Sequence, residues 1–376
     1  MISFRSFSAF APTNASIALI FLTLFFLTSS SVTGLMPTAN GQDITEAKHK
    51  KASKATWAIA LHGGAGNVPR NKTEAEIAIY QVSLNAALKA GTDILEAGGT
   101  SLEAVTATVM LLENDPLYNA GKGGVFNAQG EIEMDASIMD GSTLKCGGVS
   151  GMTLLKNPIM GARVVMEKTD HVLMAGPQAN FFCISQGCEA VDPKYFFTGA
   201  RWNSFQKSMR KRKQSFPAVP RHGFPEGYQP VAQPLATDEA KGTVGCVALD
   251  QNGNLAAATS TGGRTGKLPG RIGDSPIIGA GTFANENMAF SGTGRGEEYI
   301  RHSLAARMAW MVGEQKMSLE AAGKKCLTEI LAPKDGGLIA VDQDGNLFLD
   351  ENTGSMARAW AKSDGTRNVA IWENPL

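Results

Sequence analysis

From Tyr195 to Gly242 the chain shows no hydrophobic periodicity and carries five prolines and the basic run Arg210-Lys211-Arg212-Lys213. That pattern predicts a long exposed linker over residues 195–241. The basic run reads as a solvated stretch of it, with an anionic partner as the alternative. On either side the pattern is regular. N-terminal to the break, residues 57–61 read as a short buried strand running into His62-Gly63-Gly64-Ala65-Gly66. Helical spacing follows over 73–97 and 101–112, the second capped by Thr100 or Ser101. A glycine-rich stretch then leads to a strand-like run ending near Leu155. Asn157-Pro158 opens a further helix, 171–175 a strand and 177–187 a short helix. Order returns abruptly at Thr243. Val244–Leu249 and Leu255–Thr261 form a hairpin about Asn252-Gly253, and a similar unit recurs at 338–349 about Asp344-Gly345. Between them, 277–283 and 288–291 are strand-like, and 297–312 and 318–331 are helical. Helix pairs in each half, with strands on both sides of the break, predict an α/β fold of sheets sandwiched by helices.

The balance of charge narrows the function. Lys and Arg number 35 and Asp and Glu 35, so no basic excess marks a nucleic-acid surface. Residues 17–27 form an apolar stretch preceded by a single basic side chain, Arg5. That arrangement predicts a signal peptide over 1–41, cut near Ala39-Asn40-Gly41, and hence export to the periplasm or beyond. An uncleaved anchor is the alternative; after removal no membrane contact is expected. The five cysteines are odd in number and lack metal spacing. Cys183 and Cys188 read as free thiols, with a bridge between them as the alternative. The five histidines form no zinc pattern.

Three segments carry chemistry. The first is Gly242-Thr243-Val244-Gly245. A threonine hydroxyl needs a base, and no histidine lies nearby in sequence. A threonine at a chain start supplies its own, an α-amine of pKa roughly 7.7–8.0, near the pH where proton transfer works best. That requires cleavage of the Gly242–Thr243 bond. The second is Thr259-Ser260-Thr261-Gly262-Gly263, followed by Lys267-Leu268-Pro269-Gly270-Arg271-Ile272-Gly273-Asp274. Arg271 can grip a carboxylate through paired hydrogen bonds and Asp274 can receive an ammonium, a clamp for an amino-acid head group. A simple loop ion pair is the alternative. The third is Ser291-Gly292-Thr293-Gly294-Arg295-Gly296-Glu297, read as the opening of a helix whose N–H groups and hydroxyl can hold an oxyanion. The pattern of a phosphate-binding loop is absent.

Together with LHGGAG (61–66), DPLYNAGKGGVF (115–126), MDASIMDG (134–141) and GGLIAVD (336–342), these segments resemble the plant-type L-asparaginases/isoaspartyl peptidases, of the N-terminal-nucleophile hydrolases. The resemblance runs in family order across residues 57–360. It implies a four-layer αββα sandwich that cleaves itself into an α-chain ending at Gly242 and a β-chain over 243–376. Thr243 would be the nucleophile, tuned by Thr261. Thr293 and the N–H of Gly294 would form the oxyanion hole. Arg271 would hold the substrate α-carboxylate, Asp274 and the Gly296 carbonyl its ammonium, and Asn119 would line the site. No cofactor would take part in catalysis. A structural sodium or potassium ion would sit on main-chain carbonyls of Leu112, Glu113, Asp115, Tyr118, Ala120 and Lys122. The implied substrates are β-aspartyl dipeptides and L-asparagine, and the implied assembly is (αβ)₂. Arg264 stands where the family varies and would alter leaving-group preference.

Two other functions fit some of these features. A glycosylasparaginase shares fold and nucleophile and suits export, but Lys241-Gly242-Thr243 lacks the aspartate such enzymes place before the threonine. A non-catalytic binding protein for aspartyl ligands would have no need of Thr243, Thr261, Arg271, Asp274 and Thr293 together.

Overall fold

The computed structural model describes residues 56–66, 68–229 and 242–372. The expected leader and residues 230–241 of the expected linker lie outside them. The elements run β1 (Ala58–Ala65), α1 (Glu74–Glu96), α2 (Ser101–Asn114), β2 (Met134–Asp140), β3 (Cys146–Met152), α3 (Pro158–Lys168), β4 (Leu173–Ala175), α4 (Gly176–Ser185) and α5 (Gly199–Lys211) before the break. After it come β5 (Val244–Leu249), β6 (Leu255–Thr261), β7 (Thr282–Ala284), β8 (Met288–Gly294), α6 (Gly296–His302), α7 (Leu304–Gly313), α8 (Leu319–Lys325), β9 (Gly336–Asp342), β10 (Leu347–Glu351), β11 (Met356–Lys362) and β12 (Arg367–Ala370).

The strands form two sheets. One has the order β12-β11-β1-β5-β6-β2-β3-β4, the other β10-β9-β8-β7. Three separate cores show how they stack. Alternation along β1 and β5 turns Ile59, Leu61, Val244, Cys246 and Ala248 toward α1, α2 and α3, while Ala58, Ala60, Val247 and Leu249 face the other way. There they meet Ala284, Ala289, Ile339 and Val341 of the smaller sheet. The outer face of that sheet packs Phe290, Leu338 and Ala340 against Leu304, Met308, Leu319 and Ala322 of α7 and α8. Helix, sheet, sheet, helix is the expected four-layer sandwich. The alanines at the sheet–sheet face let the two sheets approach closely.

Local chemistry sets the helix starts. Thr73 accepts from the Glu76 N–H while the Glu76 carboxylate takes the Thr73 N–H, and Thr100 and Glu103 repeat the arrangement on α2. Each such reciprocal cap satisfies two of the donors a helix start leaves free.

The expected linker is corrected by this structure in its first half. Residues 193–196 form a single turn, and α5 is a helix capped by Thr198. Trp202, Phe205 and Met209 lie on one face of α5 and are buried. Trp202 meets Phe126 edge-on at 5.0 Å between ring centres, and Phe197, Phe216 and Phe224 close the aromatic cluster. Arg201, half-buried, donates to the carbonyls of Gly123 at 2.6 Å and Leu117 at 3.0 Å. Burial pulls its pKa down to about 10, against a smaller opposing pull from Tyr80. Arg210 and Lys211 form the last turn of α5, where positive charge complements the helix dipole, so the basic run begins on a helix and not in a loop.

Other boundaries shift. β8 extends to Gly294, so Thr293 and Gly294 end a strand, and α6 starts two residues later. The helix expected over 297–312 breaks at Ser303, which takes a left-handed conformation. The one expected at 318–331 widens into a π turn at Cys326–Ile330. Of the strand-like 277–283 region only Thr282 and Phe283 fall in a strand, β7, which runs on to Ala284. Cys183 and Cys188 are free thiols, as the sequence suggested.

Candidate active site

The site forms where the ends of β5 and β6 in the large sheet meet β8 of the small one. Gly242 takes φ +133°, a conformation closed to residues with a side chain, and delivers Thr243 to the head of β5. Thr243 is only 7% exposed. Its hydroxyl donates to Thr261 Oγ1 at 3.1 Å. Val244 pairs with Ser260, so Thr261, the next residue of β6, lies beside Thr243. Thr261 also accepts from the Gly263 N–H at 2.9 Å, which fixes its oxygen.

Thr293 reaches across from the other sheet. Its Oγ1 accepts from the Thr243 N–H and the Ala65 N–H, each at 3.2 Å. Both lone pairs are used, so the hydroxyl hydrogen is left to donate into the site. Gly294 follows at φ +152°, and a β-carbon there would overlap the Asp335 carbonyl. A hydroxyl and an adjacent N–H at this point make a paired donor for a developing oxyanion.

Beneath the threonine lies a hydrogen-bonded chain that sequence reading missed. His62 Nδ1 lies 2.8 Å from the Thr243 carbonyl. A carbonyl only accepts, so Nδ1 carries the proton and Nε2 accepts from Ser291 Oγ at 3.0 Å. Ser291 in turn lies 2.7 Å from Thr259 Oγ1, to which Thr282 donates at 2.6 Å. His62 is fully buried; desolvation, against a smaller opposing pull from the Thr243 hydrogen bond, pulls its pKa down to about 3 and keeps it neutral. It is a brace for the Thr243 backbone. Gly245 makes room for it, since a β-carbon there would overlap Ser291 Oγ and His62 Nε2. The signal available was alternation: Thr259 and Thr261 share one face of β6, while Ser260 turns away to donate to Glu113 at 2.6 Å.

Arg271, Asp274 and Gly296 converge as the sequence suggested. A β-carbon on Gly296 would crowd Asp274 Oδ1 and lie 3.1 Å from Arg271 Nη2. Glu297 Oε1 accepts from Arg271 Nε at 3.2 Å and Nη2 at 2.9 Å, which orients the guanidinium. Asp274 is buried, and its Oδ2 has no hydrogen-bond partner among the described residues. Burial, assisted by Glu297 and Asp135 and opposed by backbone hydrogen bonding and Arg271, pushes its pKa up to about 7. An unpaired buried carboxyl beside an arginine fits a ligand carrying both an ammonium and a carboxylate.

Asn119 is also buried. It donates to the Gly263 carbonyl at 2.7 Å and accepts from Val125 at 3.1 Å, and so ties the turn after Thr261 to the 115–126 loop. In that loop Gly121 packs on the Glu113 carbonyl and Gly123 on the Tyr118 carbonyl. The carbonyls of Leu112, Asp115 and Ala120 each accept an N–H within the loop, at 3.4, 3.3 and 3.1 Å. Neutral main-chain carbonyl oxygens are the kind of donor a hard monovalent cation takes. The Glu113 side chain points elsewhere. It accepts from Ser260 and the Ile159 N–H, and burial raises its pKa to about 8.

Comparison with known proteins agrees with this arrangement. Residues 55–371 match the asparaginase family Asparaginase_2. The chain belongs to that family. It is 42% identical over 318 residues to the isoaspartyl peptidase of Escherichia coli, covering 84% of this chain and 95% of that protein. To the isoaspartyl peptidase of Salmonella typhimurium it is 43% identical over 320 residues, covering 84% and 98%. To the isoaspartyl peptidase/L-asparaginase of Rattus norvegicus it is 37% identical over 331 residues, covering 87% and 92%.

In this asparaginase-family chain a cavity of about 250 Å³ opens directly on Gly242 and Thr243. Gly263 and Gly294 form part of its floor, and Arg212, Arg264, Arg295 and Lys334 stand in its walls. Arg271 and Asp274 are not among the lining residues. The cavity and the clamp are neighbours: Gly263 lines the cavity and a β-carbon on it would lie 3.4 Å from Arg271 Nη1, and Glu297 pairs with both Arg264 and Arg271.

Proposed function

We propose that this chain is a self-processing amidohydrolase that splits β-aspartyl dipeptides and L-asparagine, with Thr243 as nucleophile. The observation that carries the reading is the meeting of Thr243, Thr261 and Thr293 beside Arg271, Asp274 and Gly296. In the intact chain the Thr243 hydroxyl attacks the Gly242 carbonyl and its proton passes to the departing Thr243 nitrogen; the positive φ of Gly242, open to glycine alone, sets the direction in which that carbonyl is presented. Water resolves the resulting ester, and Thr243 gains a free α-amine. In the mature enzyme that amine takes the Thr243 hydroxyl proton as Oγ attacks the side-chain carbonyl of the bound aspartyl unit. Thr293 and the Gly294 N–H hold the oxyanion. The amine then returns the proton to the departing amine or ammonia. Water hydrolyses the β-aspartyl ester, and aspartate leaves. Thr261 holds the nucleophile's rotamer throughout.

Three further features belong to the same reading. A sodium or potassium ion on the carbonyls of Leu112, Glu113, Asp115, Tyr118, Ala120 and Lys122 would stiffen the loop that carries Asn119, without entering the chemistry. The family resemblance supports an (αβ)₂ assembly. The apolar segment at 17–27 supports export.

Purified protein should separate into two chains, the shorter beginning at Thr243, and should release L-aspartate from β-aspartyl dipeptides. An active preparation whose second chain begins elsewhere, or a split protein inert on both β-aspartyl dipeptides and L-asparagine, overturns the reading.

The Asp274 carboxyl gives a pH signature. Its raised pKa means that it is protonated below about 7 and accepts an ammonium well only above it. Competitive inhibition by L-aspartate should therefore tighten as pH rises, by roughly tenfold per unit between 5.5 and 6.5. An inhibition constant independent of pH would remove Asp274 from the ammonium site.

A further inference from the structure

The walls of the cavity beside Thr243 hold four cationic side chains, Arg212, Arg264, Arg295 and Lys334, against one carboxylate, Asp335. Their partners are loose or missing. Arg264 Nη1 lies 3.5 Å from Glu297 Oε2, and Arg295 lies between two carboxylates, with Nε 3.7 Å from Glu298 Oε1 and Nη1 3.8 Å from Asp335 Oδ1. Among the described residues, Arg212 and Lys334 have no carboxylate within ion-pair distance. They come from four separate segments: the end of α5, the turn after β6, the approach to α6 and the approach to β9. Like charges gathered this way repel one another, and the cheapest relief is an anion between them.

The substrate geometry says which anion. In the amidohydrolase reading Arg271 and Asp274 hold the aspartyl head group, and neither lines the cavity that opens on Thr243. The group that departs from the scissile carbonyl is the part of the substrate the clamp does not hold, and this cavity is the space open to it. Ammonia from L-asparagine has no use for a space of about 250 Å³ or for four cations. A departing amino acid brings one carboxylate, its own terminus, and a departing aspartate or glutamate brings a second.

We infer that this chain prefers β-aspartyl dipeptides whose second residue is acidic, and that Arg212, Arg264, Arg295 and Lys334 form the subsite that selects it. The inference rests on the amidohydrolase reading above and adds the class of leaving group. Arg264 and Arg295 have side chains 54% and 55% exposed, so the selection is partly screened and salt-dependent. A lysine or arginine as second residue would add charge to a site that already repels it.

The test compares β-aspartyl-glutamate with β-aspartyl-glutamine, which match in shape and differ in charge, and with β-aspartyl-lysine. The kcat/KM for the glutamate peptide should exceed that for the glutamine peptide by about tenfold at low salt, with the lysine peptide slowest. Raising the salt to 0.5 M should narrow the ratio. In the double variant R264Q/K334Q the glutamate-to-glutamine ratio should fall toward one. Because it is measured within one protein, partial loss of folded enzyme cancels. Equal rates on the glutamate and glutamine peptides would overturn the inference and leave the amidohydrolase reading standing. A preference that survives the double variant would overturn the assignment to this cavity. Failure to cleave any β-aspartyl peptide would remove the reading on which both rest.

Discussion

Thr243→Ala should purify as a single uncut chain with activity reduced roughly 10⁴-fold or more, the scale seen when a hydrolase loses its nucleophile. The expectation follows from three contacts. The Thr243 hydroxyl is held by Thr261 at 3.1 Å, its N–H by Thr293 at 3.2 Å and its carbonyl by His62 at 2.8 Å. Alanine keeps the last two, so the fold and the presentation of Gly242 should survive, which circular dichroism checks. Only the attacking oxygen is gone. Thr243→Ser retains that oxygen and should still split, more slowly, because serine lacks the methyl that limits the rotamers of a β-branched residue. A Thr243→Ala preparation that still yields two chains would mean that another protease makes the cut. In that case the backbone turn at Gly242 has nothing to do with self-processing.

Much of this site was legible in sequence because its residues lie at strand ends next to glycines. Thr243, Thr261 and Thr293 abut Gly242, Gly262 and Gly294, whose missing side chains let backbone come close, and Gly242 and Gly294 also take positive φ, as does Gly263 two residues after Thr261. The clamp was legible because Arg271 and Asp274 sit in one short turn. His62 was not. A lone histidine in an apolar strand carries no mark of its partner, and its partners Thr243 and Ser291 are 181 and 229 residues away in sequence. The α5 helix was missed for a different reason. Trp202, Phe205 and Met209 do keep helical spacing, but the basic run beyond them and the prolines after it hide the apolar stripe. The cationic cavity was missed as a whole for the same cause as His62. Arg264 alone stood out, whereas Arg212, Arg295 and Lys334 become neighbours only through the fold. Strands β11 and β12 went unread because the alternation in the former interleaves alanines with Arg358 and Trp360, and the sheet buries Arg358 almost completely.

Arg271→Lys should cost nearly as much as Arg271→Ala, although it keeps the charge. The guanidinium presents Nε and Nη2 to Glu297 Oε1 at 3.2 and 2.9 Å and leaves Nη1 to a ligand. A lysine ammonium is a point charge on a flexible stem and cannot serve both at fixed angles. Truncating one partner of a buried hydrogen-bonded charge pair costs about 2–5 kcal/mol, much of it from the group left unpaired. Here that group is the substrate α-carboxylate, with Glu297 and Asp274 close by. The loss corresponds to roughly thirtyfold to several-thousandfold in kcat/KM on β-aspartyl dipeptides. Self-cleavage should be far less affected, because Gly242 offers no α-carboxylate to grip. The two readouts separate a binding role from a structural one: a variant that matures normally but fails on dipeptides has lost the clamp alone. If Arg271→Ala cleaves dipeptides as well as the parent, Arg271 does not hold the head group. The same conclusion follows if β-aspartyl peptides with an amidated aspartyl α-carboxylate are equally good substrates, and Glu297 would then have to be read as the partner that arginine exists to hold.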